Sequence, residues 1–143
     1  MRSGLIALAA LALLGLAPAA AQPVVSPARG APLRAAVLDA LRPTVERETG
    51  GKVIFVVHAL NVMGAWAYAD VEPRRPDGEK IDWRKTRFRR AFEADVFSGL
   101  VLALLRRKDG AWTVADYIVG PTDVYWYNWV TKYKLPEALF KGP

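Results

Sequence analysis

The amino-acid sequence predicts an α+β domain: an N-terminal helix packed on a curved antiparallel four-stranded sheet, followed by a C-terminal helix. Three observations carry this expectation. Leu33, Val37, Leu41 and Val45 recur at intervals of four, the spacing of one helical face. Pairs of β-branched and aromatic runs follow, separated by glycine-containing turns. Tyr125, Trp129 and Tyr133 then restore the interval of four near the end of the chain. Helix, strand, strand, short helix, strand, strand, helix is the element order of an α+β plan.

Ahead of the first helix stands an export signal. Arg2 supplies a positive start, residues 5–17 form an unbroken run of apolar and small side chains, and Pro18 ends it. Ala19-Ala20-Ala21 gives the small-x-small pattern accepted by signal peptidase, which places the cut after Ala21. The run is shorter than the roughly 20 residues of a spanning helix, which disfavours an uncleaved anchor. With no cysteine to acylate and a single arginine at the start, neither a lipoprotein nor a twin-arginine signal is expected. The Ala- and Arg-rich, Lys-poor composition points to a bacterial source, so the expected address is the periplasm, with secretion as the alternative.

Removing 21 residues from 143 leaves the length of one domain, large enough to bury a core without disulfides. Absence of cysteine also excludes thiol redox chemistry, thiolate nucleophiles and cysteine metal sites. Residues 22–31 carry Pro, Gly and Ser without periodicity and read as a flexible arm. The domain proper is then 32–143.

Each element has its own signature. Pro32 suits the first turn of a helix, Pro43 predicts a kink, and Gly50-Gly51 ends the helix. Residues 52–60 read as a strand with Val53, Phe55, Val57 and Ala59 on one face and Ile54, Val56, His58 and Leu60 on the other. A second strand, 62–71, sets a flat face of Ala65, Ala67 and Ala69 against Trp66 and Tyr68. Residues 73–78 form a loop. Phe88, Phe92 and Val96 mark a short helix, and 100–105 is apolar on both faces, as in a central strand. Lys108-Asp109-Gly110 turns the chain into a returning strand at 111–119. Gly120-Pro121 breaks that strand, Thr122 caps a final helix reaching about residue 132, and Leu135-Pro136 ends it.

Gly64-Ala65-Trp66-Ala67-Tyr68-Ala69-Asp70 is echoed by Gly110-Ala111-Trp112-Thr113-Val114-Ala115-Asp116. Their flanks differ, so shared hairpin chemistry explains the echo better than duplication. It predicts two strands presenting Trp and Asp at the same parity.

The helix-first order resembles the cystatin-like and NTF2-like architectures. The motifs L-D-A-L-R-P at 38–43, G-x-W-A at 64–67, P-R-R-P-D-G at 73–78 and G-P-T-D-V at 120–124 look like those of small exported bacterial proteins of unassigned activity. The resemblance implies a fold and a compartment, and brings no catalytic residues.

Residues able to carry chemistry are few. His58 is the only histidine, which removes His-pair metal sites and the H-E-x-x-H helix. On an apolar strand face it reads better as a core or edge histidine than as a proton carrier. Ser26 and Ser98 lie outside G-x-S-x-G. Asp77, Glu79 and Asp82 lack calcium-loop spacing and read as solvated charge. No metal or cofactor is expected. Asp70 and Asp116 share the parity of the two indoles; a pocket on that face would bury them, raise their pKa and suit them to acid-base work. Otherwise they simply end their strands in water.

Charge gives the leading functional expectation. Residues 73–90 hold eight basic and three acidic side chains, the whole of the surplus left after Arg2 is removed. Arg74, Arg75, Arg84, Lys85, Arg87, Arg89 and Arg90 interleave with Trp83 and Phe88, mixing guanidinium forks with apolar anchors. A non-catalytic module is expected here, binding an anionic partner: a lipid head group, a wall polymer or an acidic protein, with nucleic acid not expected. A solvated face that aids solubility is the competing explanation. The runner-up function is a small pocket enzyme or small-molecule carrier of NTF2-like type using Asp70 and Asp116, with His58 as a further candidate (the strand carboxylates and the lone imidazole). The aromatic C-terminal helix offers Trp126, Trp129 and Tyr133 as a protein-contact edge, against full burial as the simpler account.

Overall fold

The computed structural model describes residues 22–143; the export signal and its cleavage site lie outside the described residues. A first helix, α1 (Pro32–Thr49), precedes a meander of four antiparallel strands in the order β1-β2-β3-β4. These are β1 (Ile54–Met63), β2 (Trp66–Arg74), β3 (Val101–Lys108) and β4 (Ala111–Val119). A 3-10 turn at Trp83–Lys85 and a short helix, α2 (Arg89–Glu93), lie between β2 and β3; α3 (Tyr127–Tyr133) and α4 (Ala138–Lys141) close the chain. The α+β class and the antiparallel sheet agree with the sequence.

Pro32 starts α1 and the helix continues through Pro43. Gly50, at φ +76°, ends it in the left-handed conformation and returns its N–H to Glu46 O at 2.9 Å. The stripe Val37, Leu41 and Val45 is fully buried against Ala67, Ala69, Val71, Val101, Ala103 and Leu105. Alanine at 67, 69 and 103 keeps this inner face flat where the helix lies on it. On the outer face, Tyr68, Leu102 and Leu104 form a second core with Trp129, Leu135, Leu139 and Phe140 from the C-terminal helices. Burial on both faces explains the continuous apolar run Val101–Leu105.

Two bulges correct the expected strand faces. Val57 pairs with Val71 and Ala59 with Asp70, leaving His58 as an extra residue. Beyond it the alternation inverts, so Ala59 joins the outer face and Leu60 the inner. On β4, Asp116 pairs with Leu104 and Val114 with Leu105, leaving Ala115 as the extra residue. The repeated Gly-Ala-Trp stretch is also out of phase. Gly64 begins its two-residue turn, whereas Gly110 completes the Asp109-Gly110 turn, in which both residues have positive φ. Trp66 therefore faces outward and Trp112 inward. Offset and bulge cancel for the carboxylates, and both Asp70 and Asp116 reach the outer face.

Boundaries also differ from expectation, and β2 runs from Trp66 to Arg74 where a strand at 62–71 and a loop at 73–78 were expected. The first strand extends to Met63, because the turn is Gly64-Ala65. The aromatic helix begins at Tyr127, not at Thr122, since residues 121–124 are irregular after Gly120 and 125–126 form a turn. Pro136 precedes a further helical turn, α4, where an end was expected. The lead-in is tied to the sheet: Val25 exchanges two backbone hydrogen bonds with Val62, at 2.9 and 2.8 Å, and Ser26 donates to Asn61 Oδ1 at 2.6 Å.

Candidate functional site

Period-two alternation along β2 sends Trp66, Tyr68, Asp70, Glu72 and Arg74 to the outer face of the sheet. The C-terminal helices cover this row only at its Trp66 end. Trp129 meets Tyr68 edge-on, with ring centroids 6.5 Å apart, and Tyr133 packs 5.6 Å from Trp66. Asp70 lies one rung beyond this cover. Here the segment after Gly120 stands away from the sheet and leaves a recess of about 560 Å³, lined by Tyr68, Asp70, Leu100, Leu102, Val124 and Trp126.

Asp70 is the unusual member. Its Oδ1 is buried and has no protein hydrogen-bond donor. Burial raises the pKa of the carboxyl, and the nearby His58 only partly opposes the shift. Beside it, burial and then the Asp70 charge push the Tyr68 phenol well above its ordinary range. A neutral phenol and a carboxyl that resists ionisation thus share one recess, whose wall also holds Ser98, Thr122 and Asp123. Such a pair can donate or accept hydrogen bonds, and an ammonium or amide N–H would relieve the desolvated carboxylate.

The other catalytic candidates do not assemble around Asp70. Asp116 lies two strands away and is fully engaged: Lys132 Nζ donates at 2.9 Å, the Tyr133 hydroxyl at 2.8 Å and the Tyr117 N–H at 2.9 Å. Burial acts to raise its pKa, but the hydrogen bonds from Lys132 and Tyr133 outweigh it and hold the carboxyl below its usual range. His58, the bulged residue, is exposed, with Nε2 3.9 Å from Glu72 Oε2; Glu72 in turn pairs with Arg74 at 3.0 Å.

Much of the basic stretch is occupied inside the molecule. Arg75 caps the end of α1, donating to Thr49 O at 2.6 Å and Lys52 O at 3.2 Å. Arg87 grips Glu48 with both forks, at 2.8 and 2.9 Å. Arg74 also donates to Gly78 O, Arg89 pairs with Glu93 at 3.0 Å, and Arg84 sits over Phe92. Among the described residues Lys85 and Arg90 make no salt bridge. Trp83 is buried, with Phe88 and Phe97 edge-on against it.

The aromatic edge also turns inward. Trp129 is buried, Trp126 stacks on Phe140 at 5.2 Å, and Tyr133 bonds Asp116. Sequence reasoning missed Tyr68, Leu102 and Trp126 as walls of one recess. The Tyr68-x-Asp70 spacing places two of these groups on one strand face and was the available signal. No protein family, curated protein or solved structure matches the chain.

Proposed function

We propose that this domain is a non-catalytic carrier that holds a small ligand in the recess over Asp70. The observation behind it is the buried, donorless Oδ1 of Asp70 beside the apolar side chains of Leu100, Leu102, Val124 and Trp126. The chemistry it suits is an apolar body bearing an N–H or ammonium donor, with Leu102 and Trp126 taking the body. Carriage is favoured over catalysis because Asp70 Oδ1 has no hydrogen-bond partner among the described residues, so neither Asp123 on the recess wall nor the nearby His58 is joined to it as a partner acid or base. The cystatin-like and NTF2-like resemblance, and an address outside the cytoplasm from the signal in residues 1–21, complete this reading.

Octylamine and octanoate, titrated separately, provide the test. Octylamine is expected to shift the NMR signals of Tyr68, Leu102 and Trp126 and to bind about tenfold more weakly to Asp70→Ala. Equal binding of octanoate, or shifts elsewhere, would overturn the carrier. An anionic partner remains as a second reading because Lys85 and Arg90 lie free of carboxylates on the basic stretch. It expects salt-sensitive binding to phosphatidylglycerol vesicles that is lost in Lys85→Ala/Arg90→Ala.

A further inference from the structure

We propose that the open edge of β1 is a docking site for an extended, acidic segment of another protein, which would add as a fifth strand beside Ile54–Val57. The inference is independent of the recess over Asp70, which lies on the outer face of the sheet.

β1 is an edge strand, and its outward backbone groups are met in different ways along its length. At one end Val62 is paired with Val25 of the lead-in. Pro27 has no N–H and cannot continue that pairing. At the other end the Val53 carbonyl accepts from Arg42 Nη1 at 2.7 Å, and the Val53 N–H donates to Glu46 Oε1 at 3.3 Å. Alternation from Val53 turns the N–H and C=O of Phe55 and Val57 to the same outer edge. Opposite Phe55 on β2 stands Pro73, which has no N–H to exchange with it. Phe55 and Val57 therefore offer two donors and two acceptors in extended geometry, just short of the His58 bulge. The Val25 bridge shows the same edge accepting antiparallel backbone hydrogen bonds from an extended segment.

Beside this edge a groove of about 570 Å³ runs between β1 and α1. Arg29, Arg34 and Arg42 line it with Leu38, against the single carboxylate of Asp39. Arg42 lies over the Phe55 ring at 5.1 Å, and Arg34 reaches Pro27 O at 3.2 Å. On the opposite side of the strand Ile54 and Val56 are 42% and 40% exposed. An added strand would point alternate side chains at the arginines and the others along Ile54 and Val56. Acidic and β-branched residues in alternation fit both sides. A second copy of this chain fits poorly: β1 contains no acidic residue, and pairing two copies would bring their arginine sets together.

The test uses a synthetic hexapeptide of alternating glutamate and valine, a lysine–valine counterpart, and a glutamate–valine version N-methylated on its glutamates, the residues whose N–H groups would face Phe55 and Val57 in antiparallel pairing. The acidic peptide is expected to shift the Phe55 and Val57 amides and slow their hydrogen exchange. Binding should weaken about tenfold in Arg29→Glu/Arg34→Glu and about tenfold on N-methylation. Circular dichroism of the variant checks that it is folded. Equal binding of the lysine or N-methylated peptide overturns the proposal, as does no binding up to about 1 mM. Self-association through the Phe55 and Val57 amides would assign the edge to a second copy and overturn it equally.

Discussion

Arg87 and Glu48 form a two-pronged ion pair that ties the basic stretch to the last turns of α1. The Tyr117 hydroxyl adds a third bond to Glu48, at 2.7 Å, so helix, loop and β4 meet at one carboxylate. Arg87 leads the effects that hold the Glu48 carboxyl below its ordinary range, against an opposing push from burial. Since its folded pKa is depressed, the stabilisation is present above the unfolded value near 4.3 and is lost as pH falls through the folded one. Arg87 is largely exposed, so the pair is worth about 1 kcal/mol. Urea melts of Glu48→Gln should show that loss at pH 7 and little difference from the parent at about pH 3.

Asp70 carries the opposite sign. Its pKa is raised, so the favourable contribution is complete below the unfolded pKa and is lost as pH rises through the folded value. Asp70→Asn should therefore be more stable than the parent at pH 7, by on the order of 1 kcal/mol after allowance for solvent in the recess, and equal to it at about pH 3. Parallel melts at the two pH values check it; a loss at pH 7 would mean that Asp70 has a stabilising partner.

The bulges can be tested by deletion. Removing His58 makes Val57 and Ala59 consecutive while leaving their partners Val71 and Asp70 consecutive, so every flanking side chain keeps its face. The deletion should cost less than about 1.5 kcal/mol. Removing Val56 instead shifts Ile54 and Phe55 by one register position and exchanges their faces, with a loss of about 3 kcal/mol or more. Thermal melts of the two deletions give the comparison.

Asn61 joins three parts of the chain. Its amide donates to Leu139 O at 3.0 Å, and its carbonyl accepts from Ser26. Asn61→Ala leaves a buried carbonyl of α4 without a donor and should cost about 1–3 kcal/mol. Faster proteolytic trimming of both ends of the domain is the expected signature.

The relation between sequence and fold follows from how local each signal is. Gly50, Asp109-Gly110 and the stripe Val37, Leu41 and Val45 depend on turn geometry and helical period alone, and they lie where the sequence places them. A bulge leaves no such mark: His58 and Ala115 look like ordinary strand residues, yet each inverts the alternation beyond it. The interval of four at Tyr125, Trp129 and Tyr133 reads as one helix from Thr122. Tyr125 in fact reaches Trp129 from a turn, with ring centroids 5.6 Å apart. At the recess, the strand spacing of Tyr68 and Asp70 was visible, but their burial depends on chain some fifty residues further on. The pairing of Arg75 and Arg87 with α1 was likewise hidden, because the charge count does not show which cations are already matched.

The meeting of Ser26, Leu139 and Gly142 around Asn61 brings the two ends of the described chain to one spot. A short glycine-rich splice could therefore join them, and the chain could be reopened at the exposed Asp109-Gly110 tip. The resulting circular permutant would preserve every strand pairing except continuity at one hairpin, making the domain a candidate for insertion as a cassette within another polypeptide.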